Sequence, residues 1–401
     1  MASQHISALL SGIVQLIGTK TTDLFATLRL GKVRKANSSV AARPVSDGLP
    51  IEQRDPDLVE RAAVSQHIAR LMLADEWTEI ADQIAAWEAD LASTPGGLRY
   101  HDVAVETALS GLQGLIDDMP LSQMNDLKPA ETELSHFLAT QRQTPDNHIL
   151  ALLAARAHLA LGEACRADQW PEALHREAWR RMAHHFVQAD EMLQDFDALS
   201  YMSPLLAEAH YLQALGAPAS QKHLPDLFED WVDLDPANPA IYERHGEYLC
   251  DTTLVSDETI LHEADRALDR TEETIGFGGY ALFFLPLLDQ RENVRHLLDP
   301  DLFASAMLDL ASMSASQSEI NQTANALAAE IRACNTPSLA LSDTLYMMIS
   351  SYLTVIYPRH WTVSLDDVQA LVDEAFNVLP VTDSDGFAPY SDDDALALQA
   401  A

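Results

Sequence analysis

Basic residues are scarce in this chain: 25 Lys and Arg stand against 61 Asp and Glu among 401 residues, a formal net charge of −36. Nucleic-acid binding relies on clustered cations that displace counterions from phosphates, so the body of the protein is excluded as a nucleic-acid surface and suits a basic partner better. Cysteine is rarer still. Cys165, Cys250 and Cys334 are far apart, odd in number and without CxxC spacing, which removes a disulfide framework and a zinc site and fits a reducing, cytoplasmic compartment. Glycine is low at 15 and alternating β-branched runs are almost absent, which leaves an all-α chain rich in helix formers.

Long apolar runs are missing too. The opening "MASQHISALLSGIVQLIG" has no positive charge ahead of its apolar run, unlike a secretory signal, and at about 13 residues that run is short for a membrane span. The stretch "LALSDTLYMMISSYLTVIY" at 339–357 carries Asp343 and several Ser and Thr, and reads as a core helix. "YALFFLPLL" at 280–288 is shorter, and Pro286 is expected to interrupt it.

What is present is 47% apolar composition, enough for a substantial core in a chain too long for one compact domain. Ile6, Leu9, Leu10, Ile13, Ile17, Leu24 and Leu28 repeat at helical spacing, predicting an amphipathic helix over residues 1–35 that ends in "RLGKVRK". Residues 1–43 hold six basic side chains against Asp23 alone, a net +5 that leaves −41 for the rest. Lys20, Arg29, Lys32, Arg34 and Lys35 are the candidates for contact with an anionic membrane or an anionic partner, or with the acidic body itself. Residues 36–54, rich in Ser, Pro and Gly, read as a linker. An α-helical repeat domain is expected over 55–380, with a possible sub-boundary near 275–280, and an acidic tail over 381–401.

Within that domain Asp55 followed by Pro56 predicts a helix start, and Ser364 with Asp367 a capping box for the last helix. Breaks carrying Pro or Gly fall at 93–97, 144–147, 235–239, 276–279, 335–337 and 357–361. Two pairs of segments echo each other. "ADEWTEIADQIAAW" from 74 matches "ADQWPEALHREAW" from 167, placing Trp77 and Trp170 93 residues apart. "TPDNHILALLAARAHLALGEA" from 144 matches "DPANPAIYERHGEYL" from 235, placing Pro145 and Pro236 91 apart. Both motifs fit a helical hairpin, with an Asx-Pro turn between helices and small residues where they approach. Trp231, Tyr242 and Gly246 are expected in the packing.

The segment "LDPANPAIYERHGEYL" resembles a tetratricopeptide repeat junction: Leu234, Asp235 and Pro236 close one unit, and Tyr242, Gly246 and Leu249 take the large-small-large signature of the next. "ADQWPEA" looks like the turn within a unit. The spacings depart from that family's 34-residue period, so the resemblance implies an irregular, tetratricopeptide-like α-solenoid of stacked helical hairpins. It further implies a protein-interaction scaffold, with Glu243 and Glu247 on the concave side facing a basic protein partner.

No motif for catalysis or a cofactor stands out. "GFGGYA" at 276–281 fits GxGxxG/A in form but follows a charged helical segment rather than a strand, so a helix cap and turn is expected there. His175, His184 and His185 share a predicted helix with Arg176, Arg180 and Arg181, without HExxH spacing and with neighbours that disfavour a bound cation. Asp383, Asp385 and Gly386 only partly match a calcium loop. The expectation is a non-catalytic scaffold or adaptor with no cofactor. The alternatives are a peripheral membrane adaptor anchored by the N-terminal helix and, further off, an enzyme whose site is assembled from distant residues.

Overall fold

A computed structural model of the chain describes residues 48–166, 169–217, 221–251, 255–290, 292–334 and 338–378. The expected N-terminal amphipathic helix, with Lys20, Arg29, Lys32, Arg34 and Lys35, lies outside the described residues, as does the acidic tail. The described chain is all-α. Its first half comprises α1 (Pro56–Leu73), α2 (Trp77–Ala89), α3 (Tyr100–Asp117), α4 (Lys128–Gln143), α5 (His148–Ala164), α6 (His175–Leu193), the short α7 (Ala198–Tyr201) and α8 (Pro204–Leu215). Its second half comprises α9 (Leu224–Leu234), α10 (Pro239–Asp251), α11 (Asp257–Ile275), α12 (Gly278–Gln290), α13 (Pro300–Met313), α14 (Gln317–Ala333), α15 (Leu339–Ser351) and α16 (Leu365–Val378). Two isolated bridges, Ile51 with Ile356 and Ser93 with Arg99, are the extended pairings among the described residues.

The helix starts follow the local chemistry. Asp55 accepts from Asp57 N at 3.0 Å ahead of Pro56, Asn147 from Leu150 N at 3.0 Å, and Ser203 from Leu206 N at 3.1 Å ahead of Pro204, each side chain satisfying an N–H that the helix cannot. Ser364 receives the N–H of Asp367, one half of the expected capping box, and donates its hydroxyl to the Asp367 carboxylate. Gly276 leaves α11 at φ +58°, a conformation open to glycine, and the chain turns directly into α12.

Most successive helices pack on each other, and second neighbours pack as well, α1 on α3, α3 on α5, α10 on α12 and α13 on α15, while α5 also packs on α8 past the short α7. Three helices run through the interior: α5, where Ile149 to Ala155 are all buried, α12, buried from Gly278 to Leu288, and α14, buried from Ser318 to Ala328. Pro286 does not break α12, contrary to expectation. The ring of Pro286 lies where a side chain on Gly246 would stand, 3.0 Å from the position of a Cβ there, so α10 and α12 approach closely and their packing holds the helix through the proline. Trp231 and Tyr242 are buried as expected.

The two echoed turns share a backbone. Thr144 closes α4 at φ −135°, ψ 66° and Asp235 closes α9 at φ −151°, ψ 65°. In each, the Asn three residues on returns its N–H to that residue's carbonyl, at 3.1 Å for Asn147 and 3.0 Å for Asn238, and then caps the following helix. The echoed tryptophans tie down helix ends of opposite kind: at the entry of α2, Trp77 Nε1 donates to Asp75 at 2.8 Å, and at the exit of α5, Trp170 Nε1 donates to the Ala164 carbonyl at 2.9 Å.

The beginning and end of the helical body meet. Ile51 bridges Ile356 in parallel, with Glu52 N donating to Ile356 O at 3.0 Å and Ile356 N to Pro50 O at 2.8 Å, so residues 50–52, within the stretch read as a linker, are tied to the C-terminal region. Buried Asp55 accepts from Ser318 Oγ at 2.7 Å and lies 2.7 Å from His360 Nε2, and these contacts hold its carboxyl below its ordinary range against the cost of burial. Asn321 on α14 joins the seam, donating to Val355 O and accepting from Tyr357 N and Trp361 Nε1 at 2.8 to 3.0 Å.

Candidate functional site: a cleft of histidines and arginines

Helices α4, α5 and α6 frame an open cleft of about 570 Å³. The turn at 144–147 sets α4 against α5, and α5 packs tightly along α6. Leu134 and Leu138 of α4 supply an apolar wall, His158 of α5 and His185 of α6 a buried aromatic one, and Arg180, Arg181 and His184 donors on the α6 side. His158 and His185 touch through Nδ1 atoms 3.0 Å apart, so one ring donates Nδ1–H to the lone pair of the other. Burial pushes His158 down to about 4 and His185 down to about 3, with the neighbouring histidines and, for His185, Arg181 adding to the shift; both rings are neutral at pH 7. His158 Nε2 is buried and has no hydrogen-bond partner among the described residues.

Charges alternate at the rim. Arg181 reaches across to Glu131 of α4 at 2.7 Å through Nη1 and to Glu177 at 3.2 Å through Nε, while Arg180 reaches Glu177 at 2.7 Å through Nη2. The two guanidinium groups hold the Glu177 carboxyl below its ordinary range. Cys165, at the C-terminal end of α5, is buried, and desolvation pushes its thiol up to about 12, far from a reactive thiolate. The cleft therefore offers neutral imidazoles, arginine N–H donors and an apolar wall, a set suited to recognition.

Several polar groups missed by sequence patterning lie elsewhere in the core. Arg99 and Asp235 form a fully buried pair, Arg99 Nε to Asp235 Oδ2 at 3.0 Å with a second contact from Nη2, and Arg99 Nη1 also donates to Leu91 O. Nearby, Glu88 accepts from Ser203 Oγ at 2.7 Å and Leu205 N at 2.9 Å; desolvation nevertheless raises it to about 7. Glu319, likewise desolvated, rises to about 8. His245 lies within the stretch of junction resemblance. It is stacked on Phe228 with ring centres 4.0 Å apart, 2.9 Å from the Tyr211 hydroxyl through Nδ1, and 3.6 Å from Glu263 through Nε2. Burial of all three keeps this Tyr-His-Glu arrangement away from solvent. The one signal for such groups was a polar residue inside a mostly apolar run, as with His158, and Arg156 beside it, in "LAARAHLALG".

Glu243 and Glu247, expected to face a partner, are half-buried on α10, one turn apart and away from the cleft; Glu247 pairs with Arg244 at 3.1 Å. His175, His184 and His185 share α6 with the three arginines, as their spacing predicts, and the cleft brings in His184 and His185. Among the described residues no group of three or more His, Cys, Asp or Glu could hold a metal ion, and no helix is long and apolar enough to cross a membrane. No protein-family model, curated protein or solved structure matches this chain.

Proposed function

We propose that this chain is a non-catalytic protein-interaction scaffold, an irregular tetratricopeptide-like solenoid of helical hairpins whose acidic surface takes a basic protein partner. The observation that carries this reading is the packing of helices on their second neighbours, α1 on α3 on α5, α10 on α12 and α13 on α15, with α5 also reaching α8 past the short α7. Stacking of that kind extends a core sideways and leaves a row of helix faces free for a partner. The shared backbone of the turns at 144–147 and 235–238 supports repetition of a hairpin unit. The charge of −41 outside residues 1–43 supports the sign of the partner. Glu243 and Glu247, on the helix after the second turn, are the contact residues of this reading.

Affinity capture from a lysate at two salt concentrations, followed by mass spectrometry, tests it. Cationic proteins are expected to be retained at low salt and released at high salt. The doubly substituted Glu243→Lys, Glu247→Lys chain is expected to lose about tenfold in affinity for the captured partner. Retention that ignores both salt and the two substitutions would sink the reading. The membrane-adaptor reading rests on the +5 of residues 1–43; it requires that removing those residues abolish co-sedimentation with anionic liposomes.

A further inference from the structure

We propose that the cleft between α4, α5 and α6 is a binding site for a small organic oxyanion, a phosphate monoester or carboxylate carrying an apolar body. This goes beyond the scaffold reading and does not depend on it. Arg181 engages the rim carboxylates through Nη1 and Nε, and Arg180 through Nη2. Of the five N–H donors on each guanidinium, those on Arg181 Nη2 and on Arg180 Nε and Nη1 make no hydrogen bond to a carboxylate among the described residues, and His184 adds an exposed ring on the same helix. Glu131 and Glu177 are matched one for one by the two arginines, so the lining offers a cation no unmatched carboxylate and keeps N–H donors to which an anion can bind in place of water.

The second, independent observation is His158. It lines the cleft, is 3% exposed, and leaves Nε2 with no partner, an unusual state for a buried polar atom. Anion binding selects one tautomer of the pair, with His185 Nδ1–H donating to His158 Nδ1 and the His158 proton on Nε2, the side from which a donor faces negative charge. Leu134, Leu138 and the imidazole faces form a wall that a bare inorganic ion leaves uncovered. The volume of about 570 Å³ lies in the range of sites that hold small organic molecules.

The test is calorimetric titration of the full chain with phenyl phosphate, inorganic phosphate and phenol at constant ionic strength. Imidazole proton resonances of His158 and His185, assigned through His158→Gln and His185→Gln, are followed in parallel. Saturable binding of phenyl phosphate is expected, about tenfold tighter than inorganic phosphate, with shifts at both imidazoles and no saturation by phenol. Arg180→Gln, at a largely exposed side chain whose loss leaves the fold intact, is expected to weaken phenyl phosphate about tenfold, and Arg181→Gln at least as much. Absence of saturation by both phosphates, binding of phenol as tight as that of phenyl phosphate, or undiminished affinity in Arg180→Gln would overturn the proposal.

Discussion

Residues 144–147 and 235–238 make one turn twice in very different surroundings. The first joins α4 to α5 at the surface, where Pro145 and Asp146 are exposed and Thr144 is half-buried. The second joins α9 to α10 in the interior, where Asp235 and Asn238 are 0% and 2% exposed and Asp235 holds Arg99 from 136 residues away. Backbone geometry is thus set by what the two turns share, a proline after the closing residue and an Asn two residues beyond it, while the energetic weight of a turn comes from what surrounds it. The first turn needs only to reverse the chain. The second also ties the loop before α3 to the middle of the molecule through Arg99.

The largest expected effect breaks the second turn alone. Asp235→Ala leaves the Arg99 charge buried without a partner, and urea unfolding is expected to show a loss of about 3–5 kcal/mol. Replacing both members, Arg99→Met with Asp235→Leu, is expected to restore most of it, because an apolar pair removes the uncompensated charge as well as its partner. A loss below about 1 kcal/mol for Asp235→Ala would mean that the pair carries little of the difference between the turns.

Acidity separates the two neighbourhoods further. Near the second turn Glu88, whose raised value owes most to burial and something to Asp102 and Asp235, titrates at about 7, against 4.5 in an ordinary glutamate. Between those values the unfolded chain has released the proton and the folded chain keeps it, so stability falls as pH rises through that window, by roughly 3 kcal/mol for Glu88 alone. Glu319 extends the decline to about 8. In α5 and α6, which follow the first turn, His158 and His185 have values lowered from 6.5 to about 4 and about 3. There the unfolded chain binds the extra protons, and stability is lost as pH falls below 6.5. Hydrogen exchange is expected to loosen α5 and α6 first in acid and the seam around α14 first in mild base. Glu319→Gln should flatten the alkaline limb and leave the acid limb unchanged.

A smaller contrast is expected at the caps. Asn147→Ala should cost about 1 kcal/mol and the buried Asn238→Ala up to about 2. Smallest of all, Thr144→Val should lie within about 0.5 kcal/mol of the parent, since the hydroxyl at this position has no partner to lose. Thermal melts of the three variants in one buffer check the ranking.

What was legible in the sequence was local. Asp55 with Pro56, Ser364 with Asp367 and the glycine exit at 276 each act within a few residues, and each could be read from neighbours along the chain. The all-α class follows from the same short-range information summed over the whole length. Arg99 with Asp235, His158 with His185 and Asp55 with His360 were not legible, because the partners are 136, 27 and 305 residues apart and meet only through helix packing. Pro286 shows the opposite failure. A sound local rule predicted a break in α12, and the interior position of that helix against Gly246 overrode it.

The seam between Asp55 and His360 also has a consequence for biogenesis. At translation rates of about 5–20 residues per second, roughly 15–60 s pass between emergence of the aspartate and emergence of its histidine. During that interval the start of α1 has a carboxylate, Asp55, whose partners Ser318 and His360 are still to be made, whereas Asp57 beside it already has Thr94 and Gly96. The first helix is made early and seated late, so a ribosome that stalls before residue 318 leaves a chain whose first helices lack the side chains that receive Asp55.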